Sequence, residues 1–371
     1  MRSMAIGRRN FLHAAGAALA LQQSSTALAE TSGTPIRLGF DTYSLRAFRW
    51  KALRLIDYAA SLKLDTIQIS SSGDYESLEP AHLARVKEYA ASAGMVLDAG
   101  IGCICPTSTS WNVKNGEPVE NISRGLQVAK AIGATSMRCF MGNDKDRLTP
   151  GGIERHMEKT IAVLRAVRPH ALDTGVKIAL ENHAGDMQAR EVRTIIEEAG
   201  KDFVASCLDT GNPMWVVEDP LVSLEVLAPY VVTTHIRDSV VYEHPRGAAA
   251  QWVALGDGTI DFKAFVARYR ELCPHASMQL EVITGRPPRP LPYLEPEFWK
   301  AFPKASASEF ARFVALARRG HPFNGFMVVE DGAKQPPDEF KAALREQQRV
   351  DLERSLEYAK KVLDVGVRWR T

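Results

Sequence analysis

From Ile36 onward the apolar residues follow two alternating spacings. Short runs of four to six mainly apolar residues fall at Ile36–Asp41, Thr66–Ser70, Val96–Ile101, Ser136–Met141, Lys177–Glu181, Val204–Asp209, Val231–His235 and Met278–Val282. They are apolar on both faces, as strands of a parallel sheet covered by helices are. Between them apolar residues recur at helical spacing, as at Leu53, Ile56 and Ala60, at Ile161, Leu164 and Val167, and at Leu352, Leu356 and Ala359. Gly94, Gly133, Gly175 and Gly200 stand just before strands, where helix C-caps belong. Eight such strand–helix units predict a (β/α)8 barrel, one domain over residues 30–371. An open doubly wound sheet fits less well, because no G-x-G-x-x-G follows the first strand.

One interval breaks the rhythm. Residues 284–348 separate strand eight from helix eight, opening with Pro287, Pro288, Pro290, Pro292 and Pro296 and carrying a helix-like run at Glu309–Arg318. Tyr293, Phe298, Trp299, Phe302, Phe310 and Phe313 are too many aromatics for a solvated linker. The stretch is expected to be an ordered, lid-like insertion or a contact between subunits of a homo-oligomer.

The head of the chain has a different pattern. Arg8-Arg9-Asn10-Phe11-Leu12 resembles a twin-arginine export signal, followed by an apolar stretch Ala14–Leu21 and an A-x-A site at Ala27–Ala29. Residues 1–29 are read as that signal, with a periplasmic enzyme beyond it and no membrane association after cleavage. The apolar stretch is too short to span a bilayer.

Composition sharpens this. Hydrophobic residues at 45% and charged residues at 24% are the mix of a globular protein. The net charge of +2 is a composite, since Arg2, Arg8 and Arg9 lie in a head without acids and leave the remainder at −1. No basic field favours nucleic acid. The five cysteines, Cys103, Cys105, Cys139, Cys207 and Cys273, sit in apolar segments without a C-x-x-C and read as buried thiols.

In a barrel of this kind the strand C-termini converge on one mouth. Four strand ends carry chemistry: Leu180-Glu181-Asn182-His183, Leu208-Asp209-Thr210-Gly211-Asn212, Thr234-His235-Ile236-Arg237-Asp238, and Leu280-Glu281. Acids are poor strand formers, and a lone buried carboxylate costs several kcal/mol unless paired or coordinated. Any one of these residues has a structural explanation, such as an ion pair or a satisfied core histidine. Three carboxylates around one imidazole, however, repel one another unless a cation neutralises them. Oxygen-rich ligation with one nitrogen suits a single divalent ion, Mn²⁺, Mg²⁺ or Co²⁺, with Zn²⁺ also compatible.

These motifs resemble the xylose isomerase-like sugar isomerase/epimerase barrels, over about Ile36–Glu281 and the last helix. The resemblance implies that Glu181, Asp209, His235 and Glu281 are the metal ligands and that Glu181 and Glu281 are also the acid–base pair. Two departures stand out: Asn212 occupies the place where many ketose epimerases have a histidine, and Val241 the place of an arginine. The extra histidines of the family's abasic-site endonucleases are absent.

The expected activity is therefore isomerisation or epimerisation of a keto-sugar or sugar acid through an enediolate. A metal on the carbonyl oxygen stabilises such an anion, and a carboxylate within reach serves as base. Decarboxylation of a 3-oxo sugar acid at the same site is the alternative, because the elongated end resembles the relatives of 3-oxo-isoapionate decarboxylase. A non-catalytic carbohydrate-binding barrel is a third reading. Candidate substrate contacts are His183, Asn212, Arg237, Arg286 and Tyr43. Arg286 and Arg289 are placed to clamp a carboxylate, and Trp215 or Trp252 to wall a sugar ring.

Overall fold

A computed structural model describes residues 35–371 apart from 331, 333 and 334; the export-signal motif lies outside the described residues. Eight parallel strands form the central sheet: β1 (Leu38–Asp41), β2 (Thr66–Ile69), β3 (Val96–Cys103), β4 (Ser136–Phe140), β5 (Lys177–Glu181), β6 (Val204–Asp209), β7 (Val231–His235) and, past an intervening hairpin, β10 (Met278–Leu280). Each pairs with the next in sequence, and β10 returns to β1 through Leu38↔Met278, Gly39↔Gln279 and Phe40↔Leu280. Between β7 and β10 the seam is a bridge, Ile236↔Leu280, supported by backbone bonds from Ile236 to Gln279 and from Glu281 to Ile236. The result is the expected (β/α)8 barrel, nearly closed.

The covering helices are α1 (Ala52–Ser61), α2 (Pro80–Ser92), α3 (Pro118–Ile132), α4 (Gly152–Thr174), α5 (Ala189–Ala199), α6 (Pro220–Leu227) and α7 (Phe262–Leu272). Their buried stripes include Leu55 and Ile56, Leu126 and Ala129, and Val192, Ile195 and Ile196. These pack on the outward-facing residues of the strands in one continuous core. The four glycines before the strands all have positive φ, which ends each helix turn without the strain a side chain would bring.

Two expectations need correction. The last helix, α9 (Asp338–Lys361), begins ten residues before Gln348, so the insertion ends near Pro337. It does not stand alone either. β8 (Asp238–His244) and β9 (Gly247–Val253) form an antiparallel hairpin between β7 and α7 that the hydrophobic pattern did not suggest. Its β9 run Gly-Ala-Ala-Ala has neither the branched residues nor the alternation that mark a strand. The insertion adds β11 (Arg289–Leu291) antiparallel to β9, and α8 (Ala307–Arg319) covers the sheet. Met214, Trp215, Val241, Ala250, Leu291, Phe313 and Leu316 make a second, separate apolar cluster there.

No helix among the described residues is long and apolar enough to cross a membrane. All five cysteines are free and buried.

Candidate metal centre

The barrel brings Glu181, Asp209, His235 and Glu281 together, with one ligand atom from each within 4.8 Å of the others. All four are buried. Glu181, Asp209 and His235 close β5, β6 and β7, whereas Glu281 lies one residue beyond β10. His235 Nδ1 is 3.4 Å from Glu181 Oε1 and 3.3 Å from Glu281 Oε2. Among the described residues this nitrogen has no hydrogen-bond partner. The other ring nitrogen, Nε2, donates to Gln68 Oε1.

Two arginines share the cluster. Arg138, at the centre of β4, binds Glu181 Oε2 through Nε and Nη2. Arg237 Nη2 reaches Asp209 Oδ2 and Glu281 Oε2 and lies 3.6 Å from Glu181 Oε1. Against these guanidinium groups stand the carboxylates of Glu181, Asp209 and Glu281, with Asp41 on the far side of the imidazole, 3.4 Å from Nε2. The positive charge on the arginines does not balance the negative charge. A lone-pair nitrogen aimed between two carboxylate oxygens is repulsive unless a proton or a metal ion sits on it, and the donor set of one imidazole and three carboxylates fits a divalent ion there.

The electrostatics separate the acids. Burial raises every one of them. At Glu181 the Arg138 guanidinium and His235 outweigh burial and hold the carboxyl well below the usual range. Arg237 and His235 likewise bring Glu281 to about 2. Asp209 goes the other way, to about 7, because burial exceeds what Arg237 returns. Burial lowers the His235 imidazole, but its neighbours, Cys207 and then the carboxylates of Glu281 and Glu181, raise it well above the ordinary value. A cation binding at Nδ1 therefore displaces a proton.

The loop after β6 is built around Asp209. Its Oδ1 accepts from the backbone N–H of Gly211 and Asn212, both at 2.7 Å. Thr210 Oγ1 accepts from Arg237 N and donates to Arg237 O, which ties the β6 motif to the β7 motif. A methyl group at Gly211 would fall on the Arg237 side chain, so this glycine gives the guanidinium its passage.

A cavity of about 450 Å³ adjoins the cluster, lined by Arg138, Arg237 and Glu281, by Phe140, His183 and Trp252, and by Tyr43, Asn212 and Arg286. All five expected substrate contacts thus line one cavity, though they are not equivalent. Arg237 is turned onto the carboxylates rather than onto Asp238, which instead accepts from the backbone of Ser239, Gly256 and Gly258. Asn212 Nδ2 donates to Glu181 Oε1 at 3.2 Å and to Asn182 O at 2.9 Å, so it braces a ligand. His183 stacks on Phe140, bonds Gly142 O through Nδ1, and is lowered to about 4 by burial. Tyr43 is 40% exposed, and Arg286 pairs with Glu330 at 3.5 Å. Arg289 turns away to Asp144. Of the two tryptophans, Trp252 lines the cavity beneath Arg237, and Trp215 stands behind it edge-on.

Arg138 carries a sequence signal of its own, a cation at the centre of a short, largely apolar strand.

The family described as xylose isomerase-like TIM barrel matches residues 56–302. A 3-oxo-isoapionate decarboxylase of Pectobacterium atrosepticum is 24% identical over 239 residues, covering 61% of this chain and 78% of that protein. Two crystal structures share the fold. A D-psicose 3-epimerase in the presence of D-fructose gives a TM-score of 0.57 at 15% identity, over 88% of this chain and 99% of that one. A xylose isomerase-like TIM barrel protein from Mycobacterium smegmatis in complex with magnesium gives 0.51 at 14% identity, over 76% and 96%.

Proposed function

The chain belongs to the xylose isomerase-like TIM barrel family, and from that premise we propose that it is a divalent-metal enzyme acting on a keto-sugar or keto-sugar acid through an enediolate. The observation that carries this reading is the buried His235 Nδ1 aimed, without a hydrogen-bond partner among the described residues, between the carboxylates of Glu181 and Glu281. Glu181, Asp209, His235 and Glu281 would hold the ion. When bound, the ion supplies electron withdrawal from a substrate carbonyl, which acidifies the neighbouring C–H.

The protein's own groups divide the remaining work. Glu281 lines the cavity with only Oε2 held, by Arg237, whereas Glu181 does not line it and has both oxygens engaged, one by Arg138 and the other by Asn212. Glu281 is therefore the base that takes the α-proton, and Glu181 serves as ligand alone. A single base returns the proton to the face it came from. That pattern favours isomerisation, in which the proton moves to the adjacent carbon, over inversion at one carbon. Trp252 offers a flat wall to a sugar ring. Neutral His183 and exposed Tyr43 are placed to hydrogen-bond hydroxyl groups.

A second reading rests on Arg286, the cavity arginine paired least closely, and on the decarboxylase relative. Arg286 would orient the carboxylate of a 3-oxo acid. The C–C bond to that carboxylate then breaks, CO₂ leaves, and the electron pair enters the enolate, which takes up a proton.

Metal-loaded protein incubated with keto-sugars and keto-sugar acids in D₂O tests both. Isomerised product, with deuterium acquired wherever the shuttled proton exchanges with solvent, supports the first reading, and CO₂ release supports the second. A protein that takes up none of Mn²⁺, Mg²⁺, Co²⁺ or Zn²⁺ sinks the metal assignment. Ligand binding that survives Glu281→Gln, with no turnover by the parent, leaves a carbohydrate-binding barrel.

A further inference from the structure

The barrel interior below the cluster is polar where such barrels are ordinarily packed with branched apolar residues. Thr66, Gln68, Asp98, Ser136, Thr233 and Gln279 are all buried there. Their hydrogen bonds run in one direction. His235 Nε2 donates to Gln68 Oε1. Gln68 Nε2 donates to Thr233 Oγ1 at 3.0 Å, and Thr233 Oγ1 donates to Asp98 Oδ2 at 3.0 Å. Asp98 receives two more protons, from Gln279 Nε2 at 3.1 Å and from Ser136 Oγ at 3.1 Å. The chain spans β7, β2, β7 again and β3, and it ends on a carboxylate that touches neither the cavity nor the ligands.

Its direction follows from proton counting. With Asp98 as a carboxylate, Thr233 gives its one hydroxyl proton to Oδ2, as Gln279 gives an amide proton, and so Thr233 can only accept from Gln68. The Gln68 amide must then turn its NH₂ to Thr233 and its carbonyl to His235. A carbonyl can only accept, so the imidazole is protonated at Nε2 on this side. Asp41 Oδ2, 3.4 Å from the same nitrogen and without a hydrogen bond among the described residues, is also an acceptor and favours the same tautomer.

We infer that Gln68, Thr233 and Asp98 are positioning residues that hold His235 in the tautomer whose Nδ1 lone pair faces the three carboxylates, so that the histidine is presented as a metal ligand. The inference rests on the metal reading above. Carboxylate- or carbonyl-bonded imidazoles are more basic and better oriented ligands, and loss of such a partner typically costs about 10- to 100-fold in metal affinity.

The test is Mn²⁺ titration of the full chain, read by isothermal calorimetry and by the free-ion EPR signal, on four single variants whose folding is checked by circular dichroism. Gln68→Met and Thr233→Val keep the packing volume and remove the acceptor or the hydroxyl. Gln68→Glu and Thr233→Ser keep the hydrogen-bonding atom and alter the charge or the volume. The expected order is a loss of about 10- to 100-fold for Gln68→Met and Thr233→Val, with Thr233→Ser near the parent and Gln68→Glu at least as tight. A merely structural role gives the reverse order, with the shape-matched variants binding normally, and that result overturns the inference. Should Thr233→Val bind like the parent while the parent binds Mn²⁺, the relay fails and the metal site stands. Should the parent bind no divalent ion, the metal reading fails and takes this inference with it.

Discussion

The barrel and the sheet beside it solve opposite problems. In the layer of β8, β9, β11 and α8, stability comes from an ordinary apolar cluster in which Phe313 is fully buried and Tyr293 and Phe310 meet edge to face. At the mouth of the barrel, apolar packing gives way to charge: three carboxylates, an imidazole and two guanidinium groups out of water. Such a cluster stabilises a fold poorly, because desolvation consumes most of what the pairing returns. Its value is preorganisation for chemistry. The two regions meet where Arg237 lies over Trp252 and Trp252 meets Trp215. Changes in one should cost activity, and changes in the other should cost structure.

The largest effect should come from the barrel. Glu281→Gln should lower kcat by about 10²- to 10⁴-fold with the far-UV spectrum kept, because it removes the base and one charge from the donor set and leaves the shape. An equal loss in Glu281→Gln and in a cavity-wall variant such as Trp252→Phe would erase the contrast. Next, Phe313→Ala should cost about 3–5 kcal/mol within the side layer. Hydrogen exchange should then speed up across β8, β9, β11 and α8 while the barrel strands keep their protection; uniform loss across the chain would merge the two regions into one cooperative unit.

A smaller, graded effect concerns pH. His235 is raised above its ordinary value, so the protonated form is the competitor of the cation. Metal affinity should therefore fall as pH drops below that raised value, by about tenfold per pH unit, with a proton released on binding. Calorimetry in buffers of different ionisation enthalpy reads that proton directly. The least effect is expected for Arg289→Ala. Its pairing with Asp144 is substantially exposed, so thermal unfolding should move by no more than about 1 kcal/mol.

How much of this was legible in the sequence follows the same divide. The barrel strands announced themselves because burial on both faces demands apolar runs, and the ligands because acids at strand ends are costly without a reason. Boundaries slipped where pairing rather than composition decides them: β10 stops at Leu280, and β3 runs on to Cys103. The β8–β9 hairpin was missed because its ladder is carried by backbone bonds along Gly247–Ala250, a run without branched residues or alternation. Gln68, Thr233 and Asp98 were passed over for another reason. Asp98 carries the ligands' own signal, an acid in an apolar strand, but away from the strand end, and the meaning of all three lies in a chain of protons that crosses three strands. Arg237, expected to face substrate, was turned inward by the carboxylates, a preference that no single motif reveals.

The glycine after Thr210 deserves a last consequence. Because the Arg237 side chain runs through the space a Cβ at Gly211 would fill, and Thr210 exchanges two hydrogen bonds with the Arg237 backbone, the D-T-G-N and H-I-R-D segments cannot vary independently. A chain that acquires a side chain at 211 must give up the long one at 237, and with it the positive charge among the acids. The two positions are thereby coupled: a side chain at 211 fits only once the one at 237 has been shortened.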